Sequence, residues 1–268
     1  MTPVREAAVA GQFYPGTRPG LERAVKEMIG PGPKRSALGV MVPHAGYMYS
    51  GRVAGEVYGA VEMPRTFIIL GPNHSGLGPM ASIMASGVWR LPGGDAVIDE
   101  SLSASLLSHS GSLEADDRAH VFEHSIEVQI PFMQYLVGQV SFVPVSMMDH
   151  SVDVCRDIGE AVAVAVKESK NPVLIVASSD MTHYESQAIA QEKDNLAIDR
   201  LLSLDPQGLL ETVQSNHISM CGVAPAAAML FACRKLGATE AHLVRYETSG
   251  DVTGDYSQVV GYAGVVVS

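Results

Sequence analysis

Basic residues are scarce in this chain. Lys and Arg total 18 against 29 Asp and Glu, a formal net charge of −11 over 268 residues. No basic cluster interrupts that acidity, so neither nucleic acid nor an acidic membrane surface is expected as a partner. Cysteine is sparse too. Cys155, Cys221 and Cys233 are an odd number without disulfide-framework spacing, and a reducing, cytoplasmic setting is expected. Long apolar runs are missing: the most apolar windows are of strand length or broken by polar residues, well short of a membrane span. The opening MTPVREAAVAGQFYP lacks the basic start and apolar core of a signal peptide. Internal repeats, low-complexity tracts and composition breaks are also missing, so residues 1–268 are expected to form a single domain.

Apolar residues, by contrast, make up 47% of the chain and charged ones 18%, enough for a sizeable core and against disorder. They fall into alternating strand and helix patterns. Strands are expected at 39–43, 67–70, 140–147, 173–177, 243–246 and 259–267, with a further apolar run at 81–85. Helices are expected at about 18–29, 51–62, 152–167, 187–203, 205–213 and 221–236, and from Asp99, as a cap, through Leu107. Residues 120–136 read as helical at least up to Pro131. This alternation predicts an α/β protein, a three-layer α/β/α sandwich on a mainly parallel but mixed sheet whose last two strands pair antiparallel.

One construction recurs. FIILGPNHSG (67–76), GVMVPHAGYMYS (39–50) and VLIVASSDMTHY (173–184) each run an apolar strand into a loop that presents histidine. Ligands bind beyond the carboxyl ends of strands in open α/β sheets, so the three loops predict one shared site. His44 and His74 are candidate metal ligands or bases, since neutral imidazole suits Fe, Cu, Zn or Ni. Ordinary loop histidines bonded to backbone are the competing reading. Asp180 and His183, three apart, read as an acid/base pair or as a ligand with its supporting carboxylate. Ser178 and Ser179 lack the G-x-S-x-G elbow of a hydrolase nucleophile, and Ser179 or Asp180 is also a natural cap for the next helix. Glu123 and Glu127, four apart, would share a helical face with His124 beside it, either completing a metal site or forming a solvated acidic face. Cys221, before a helix in ISMCGVAP, would gain a lowered pKa there and serve as a soft ligand or redox centre. The remaining histidines, His120 among them, have no supporting context.

PHAGYMYSG, GPNHSG, EHSIEVQIPF, SSDMTHY and the MCG stretch, in this order and after AGQFYP, resemble the Memo family, also called AmmeMemoRadiSam system protein B. The resemblance implies a fold similar to the class III extradiol dioxygenases, with a metal at the sheet edge. It implies His44, His74 and Cys221 as ligands of iron or copper, zinc being the alternative, and His183 with Asp180 for proton transfer. Asn73, Ser179, Glu123, His124 and Glu127 would line the pocket. A thiolate in place of the dioxygenases' carboxylate favours softer or thiolate-ligated metals. Three functions follow as expectations: an oxidoreductase acting on an aromatic or planar small molecule; a non-catalytic binder of metal or peptide serving radical-SAM and AMMECR-type proteins; and a hydrolase using zinc-bound water.

Overall fold

Phe67 to Leu70 are wholly buried on both faces, as an uninterrupted apolar run requires of a strand with helices above and below it. The computed structural model, which describes residues 3–268, builds one mixed sheet around this strand. In chain order the strands are β1 (Val4–Glu6), β2 (Gly39–Val42), β3 (Thr66–Pro72), β4 (Ala81–Ile83), β5 (Val88–Leu91), β6 (Gly94–Ile98), β7 (Glu114–Ala115), β8 (Ser141–Met147), β9 (Val173–Ser178), β10 (His183–Glu185), β11 (Ala241–Thr248) and β12 (Val259–Val267). The helices are α1 (Arg18–Met28), α2 (Tyr47–Gly59), α3 (Glu100–His109), α4 (Ile130–Val137), α5 (Val152–Glu168), α6 (Gln187–Leu202), α7 (Pro206–Ser215), α8 (Val223–Leu236) and α9 (Ser249–Thr253).

The sheet runs β1-β5-β6-β8-β3-β9-β2-β12-β10, with β11 on β12, the short β4 on β8, and β7 on β4. From β6 to β2 neighbouring strands are parallel, and β12 turns antiparallel on β2 and on β11. Alternate residues of each strand feed opposite layers. Ile68, Leu70 and Met41 pack with α3, α5, α6, α7 and α8. Phe67, Ile69, Val40 and Val42 pack with α1, α2 and α4. The result is the expected three-layer sandwich. Among the described residues no helix is long and apolar enough to cross a membrane.

The largest departure from the sequence reading lies at 120–136. Arg118–His120 and Glu127–Gln129 are isolated 3-10 turns, and the α-helix begins only at Ile130. Pro131 opens this helix, where its missing N–H costs nothing, rather than ending one. Glu123 and Glu127 therefore share no helical face. Nor do they form a solvated one, being 1% and 0% exposed. The helix after His44 starts four residues early, at Tyr47, and the hairpin of β5 and β6 was not anticipated. Asp99 does cap α3, its carboxylate accepting from Leu102 N–H at 3.0 Å.

Candidate metal centre

β3, β9 and β2 are parallel neighbours, so the loops beyond their carboxyl ends open side by side. His44 lies two residues past β2, His74 two past β3 and Asp180 two past β9. The ring centroids of His44 and His74 are 5.2 Å apart. His124 joins them, 5.5 Å from His44 and stacked on His74 at 4.7 Å. The segment carrying His124 approaches this closely because Gly71 offers no side chain: a Cβ there would meet Ser125 Oγ at 2.6 Å.

The hydrogen-bond inventory fixes which imidazole nitrogen is free. Ser178 Oγ donates its one proton to the Ser125 carbonyl at 2.7 Å and accepts from Gln129 Nε2 at 2.9 Å. The Gln129 amide is oriented by a second bond from Nε2 to the Pro43 carbonyl. With its proton committed, Ser178 can only accept from His44 Nδ1 at 2.9 Å, so His44 carries its hydrogen on Nδ1 and a lone pair on Nε2. Burial, with repulsion from His124 and His74, holds the His44 pKa far below its usual range, and the ring is neutral. This proton order also removes Ser178 as a nucleophile, since the histidine donates to it.

His74 is held by a carboxylate. Its Nδ1 donates to Glu123 Oε1 at 2.9 Å, leaving Nε2 to face the site. Glu123, buried, also accepts from the backbone N–H groups of His74, His124 and Ser125. Burial would raise its pKa, but the His74 hydrogen bond and charge and the Ser125 N–H outweigh that and hold it at about 2. Burial likewise acts to lower His74, and the bond and charge of Glu123 more than offset it, raising the ring. A carboxylate behind an imidazole is the usual support of a ligating histidine.

Cys221 completes the group. Its Sγ is 3.2 Å from His44 Nε2 and accepts the Asp180 N–H at 3.4 Å. The donor atoms of His44, His74 and Cys221 all lie within 4.8 Å of one another. With bonds of about 2.0–2.3 Å to imidazole and thiolate, tetrahedral donors stand roughly 3.3–3.8 Å apart, so the set fits a metal ion. A second triad of His74, Glu123 and His124 meets the same distance criterion, but the Glu123 oxygens already accept four N–H groups. The expected lowering of the Cys221 pKa is not found. Burial, and then the Asp180 charge, push the thiol well up, because the partly exposed Cys221 is packed closely by protein ahead of α8. Metal binding would have to displace its proton.

The other candidates divide by position. Asp180 is buried, its Oδ1 accepting His44 N–H at 2.7 Å; burial pushes its pKa up to about 6. His183 sits half-buried, its N–H on Ser219 Oγ at 2.7 Å and its Nδ1 donating to the Ser219 carbonyl at 3.0 Å, so Nε2 is the nitrogen left free. Ser179 caps no following helix, since Ser186 holds that place for α6. It ties two loops together instead, accepting Gly222 N–H at 3.2 Å. Gly222 is required there, as a Cβ would lie 2.3 Å from the Ser178 carbonyl. Asn73 spends its side chain on its own loop, bonding Leu77, Ser75 and Gly76. Glu127 points away into a buried knot with Arg5, Ala8, Val9 and Tyr14. That knot fastens the amino-terminal segment so that Phe13 lies 4.8 Å from His124. Ser178, Gln129 and Ser219 were not singled out as supports by sequence. The one available signal for Ser178 was its strand-end position opposite Val42, just before His44.

Residues 5–266 match the family described as Memo-like protein. A MEMO1 family protein of Methanopyrus kandleri is 44% identical over 277 residues, covering 98% of each chain. One of Methanothermobacter thermautotrophicus is 42% identical, covering 97% of this chain and 99% of its own. The chain belongs to the Memo family. Among solved structures, an uncharacterized protein of Escherichia coli K12 superimposes with a TM-score of 0.55 at 13% identity, over 85% of this chain and 98% of its own; it shares the fold.

Proposed function

We propose that this protein is a metal-dependent oxidoreductase of a reducing, cytoplasmic compartment, with iron or copper held by His44, His74 and Cys221. The observation that supports this most is the proton order around the histidines. Both Nδ1 atoms are committed to acceptors, so both Nε2 atoms are the positions left for a shared ion beside Cys221 Sγ, which would displace any proton His74 carries there. Bound iron or copper would supply redox chemistry and Lewis acidity, and zinc would supply Lewis acidity alone.

The chain's own residues then have separable tasks. Ser178 and Glu123 keep the two ligand rings in one tautomer and orientation. Asp180, with a pKa near 6, exchanges a proton close to neutral pH. It also holds the His44 backbone and, through its N–H, the Cys221 sulfur. His183, its Nδ1 tied to the Ser219 carbonyl, has Nε2 left to handle a proton. His124, stacked on His74 and packed against Phe13, adds a ring to the wall of the site and helps hold His74 in place.

A second reading is a binding protein without turnover, taking a small molecule or peptide or serving radical-SAM and AMMECR-type proteins. It draws on the exposed Met48, Leu77, Phe122 and Tyr184, carried on or next to the loops that bear the site residues. Oxygen uptake by the iron- and copper-loaded protein with a panel of catechols separates the two. Uptake that disappears in His183→Ala, with metal retained, supports the oxidoreductase. Tight metal binding with no uptake on any member of the panel sinks it in favour of the binding protein.

A further inference from the structure

The chain is acidic overall, yet three of its 18 basic residues converge on one small cleft. Arg156 of α5, Arg200 of α6 and Arg234 of α8 line a strongly polar cavity of about 360 Å³ beside the start of α7. It stands apart from the metal centre. Arg234 is eleven residues along α8 from the end nearest Cys221, roughly 16 Å at the helical rise.

Of the three arginines only Arg200 pairs with a carboxylate among the described residues. Arg200 is fixed by Thr212 Oγ1 at 3.1 Å and pairs with Asp205 at 3.4 Å. Asp205 is itself occupied as the cap of α7, accepting Gly208 N–H at 2.9 Å. Glu211, the other acid in the cleft, accepts from Gln207 at 2.8 Å. Among the described residues, neither Arg156 nor Arg234 has a carboxylate within ion-pair distance. Arg156 lies over the Phe231 ring instead, its Cζ 5.3 Å from the centroid, a contact that uses none of its donors. Two forked donors are thus left open around a third that is already positioned. Planar guanidinium groups facing a concave polar wall match phosphate oxygens two at a time. A surface this acidic elsewhere repels a long polyanion, and the cleft is too small for a protein surface, which narrows the ligand to a small molecule.

We infer that the Arg156–Arg200–Arg234 cleft is an anion-binding site for the phosphate group of a small molecule, either inorganic phosphate or a phosphate monoester. This does not rest on the metal reading.

The test is calorimetric titration of the full chain with inorganic phosphate, pyrophosphate and glycerol 3-phosphate, with succinate as a carboxylate control. Arg156→Ala, Arg234→Ala and the charge-keeping Arg156→Lys are run beside it. The expected result is saturable one-to-one binding of at least one phosphate probe, weakened at least tenfold by either alanine and partly kept by lysine. Tighter glycerol 3-phosphate than phosphate would assign an ester, and the reverse order the free anion. No saturable binding up to millimolar probe, binding indifferent to both alanine substitutions, or equal binding of succinate overturns the inference. The three positions are exposed, and unchanged thermal unfolding without probe confirms that the variants fold.

Discussion

Glu123→Gln is the sharpest perturbation of the site, because a single carboxylate fixes His74 and the segment bearing His124. Oε1 accepts His74 Nδ1–H, His124 N–H and Ser125 N–H, and Oε2 accepts His74 N–H. A glutamine that keeps its oxygen toward the first three presents an NH₂ to the fourth donor. That leaves one part-buried backbone N–H, that of His74, without its partner, a loss of about 1 kcal/mol, the low end of the range for a buried donor. The three retained bonds also lose their charge, and charge-assisted bonds are about twice as strong as neutral ones. The sum is a destabilisation of about 3 kcal/mol in the metal-free protein, measured by urea unfolding at neutral pH. The freed His74 ring should in addition lower metal affinity about 10- to 100-fold, the usual effect of removing a supporting carboxylate. A variant less than about 1 kcal/mol destabilised, with metal affinity unchanged, would refute the assignment of Glu123 as the anchor of His74.

Three more outcomes follow from the same contacts. Ser178→Ala removes the acceptor of His44 Nδ1–H; metal affinity should fall about tenfold by competitive chelator titration, and an unchanged affinity would show that the tautomer is set elsewhere. Tyr14→Phe takes one of four donors from buried Glu127 and should cost about 1.5–3 kcal/mol in chemical unfolding, as a bond to a charged group does. Gly55→Ala puts a Cβ 2.3 Å from the Met28 carbonyl, backbone against backbone, and should cost about 2–3 kcal/mol by forcing α1 and α2 apart; a neutral effect would contradict that packing.

The sandwich was legible because its central strands β2, β3 and β9 are short, nearly all apolar and followed by turns, while outer helices such as α1 and α5 carry one apolar stripe. His44, His74 and Asp180 were legible for the same reason: strand ends in a parallel sheet define one edge, so residues just past them converge. Periodicity failed at 121–129. The spacing of Glu123 and Glu127 imitates a helical face, yet each carboxylate instead folds irregular backbone around itself, one toward His74 and one toward Arg5 and Tyr14. Such segments take their shape from distant donors, which local pattern does not carry. The proton order of Ser178 was hidden likewise, because it depends on Ser125 and Gln129 meeting β9 in space. The pKa of Cys221 went the other way from the helix-terminus argument because burial outweighs the dipole there.

A shared metal on two imidazoles and one thiolate is tested by X-ray absorption on protein loaded with Fe(II), Cu(I) or Zn(II). One sulfur scatterer is expected, at about 2.3 Å for zinc, beside nitrogens at about 2.0 Å. The sulfur should vanish in Cys221→Ser, and one nitrogen should be lost in His44→Ala or His74→Ala. A first shell of nitrogen and oxygen alone in the native protein, or one left unchanged by those substitutions, would contradict it.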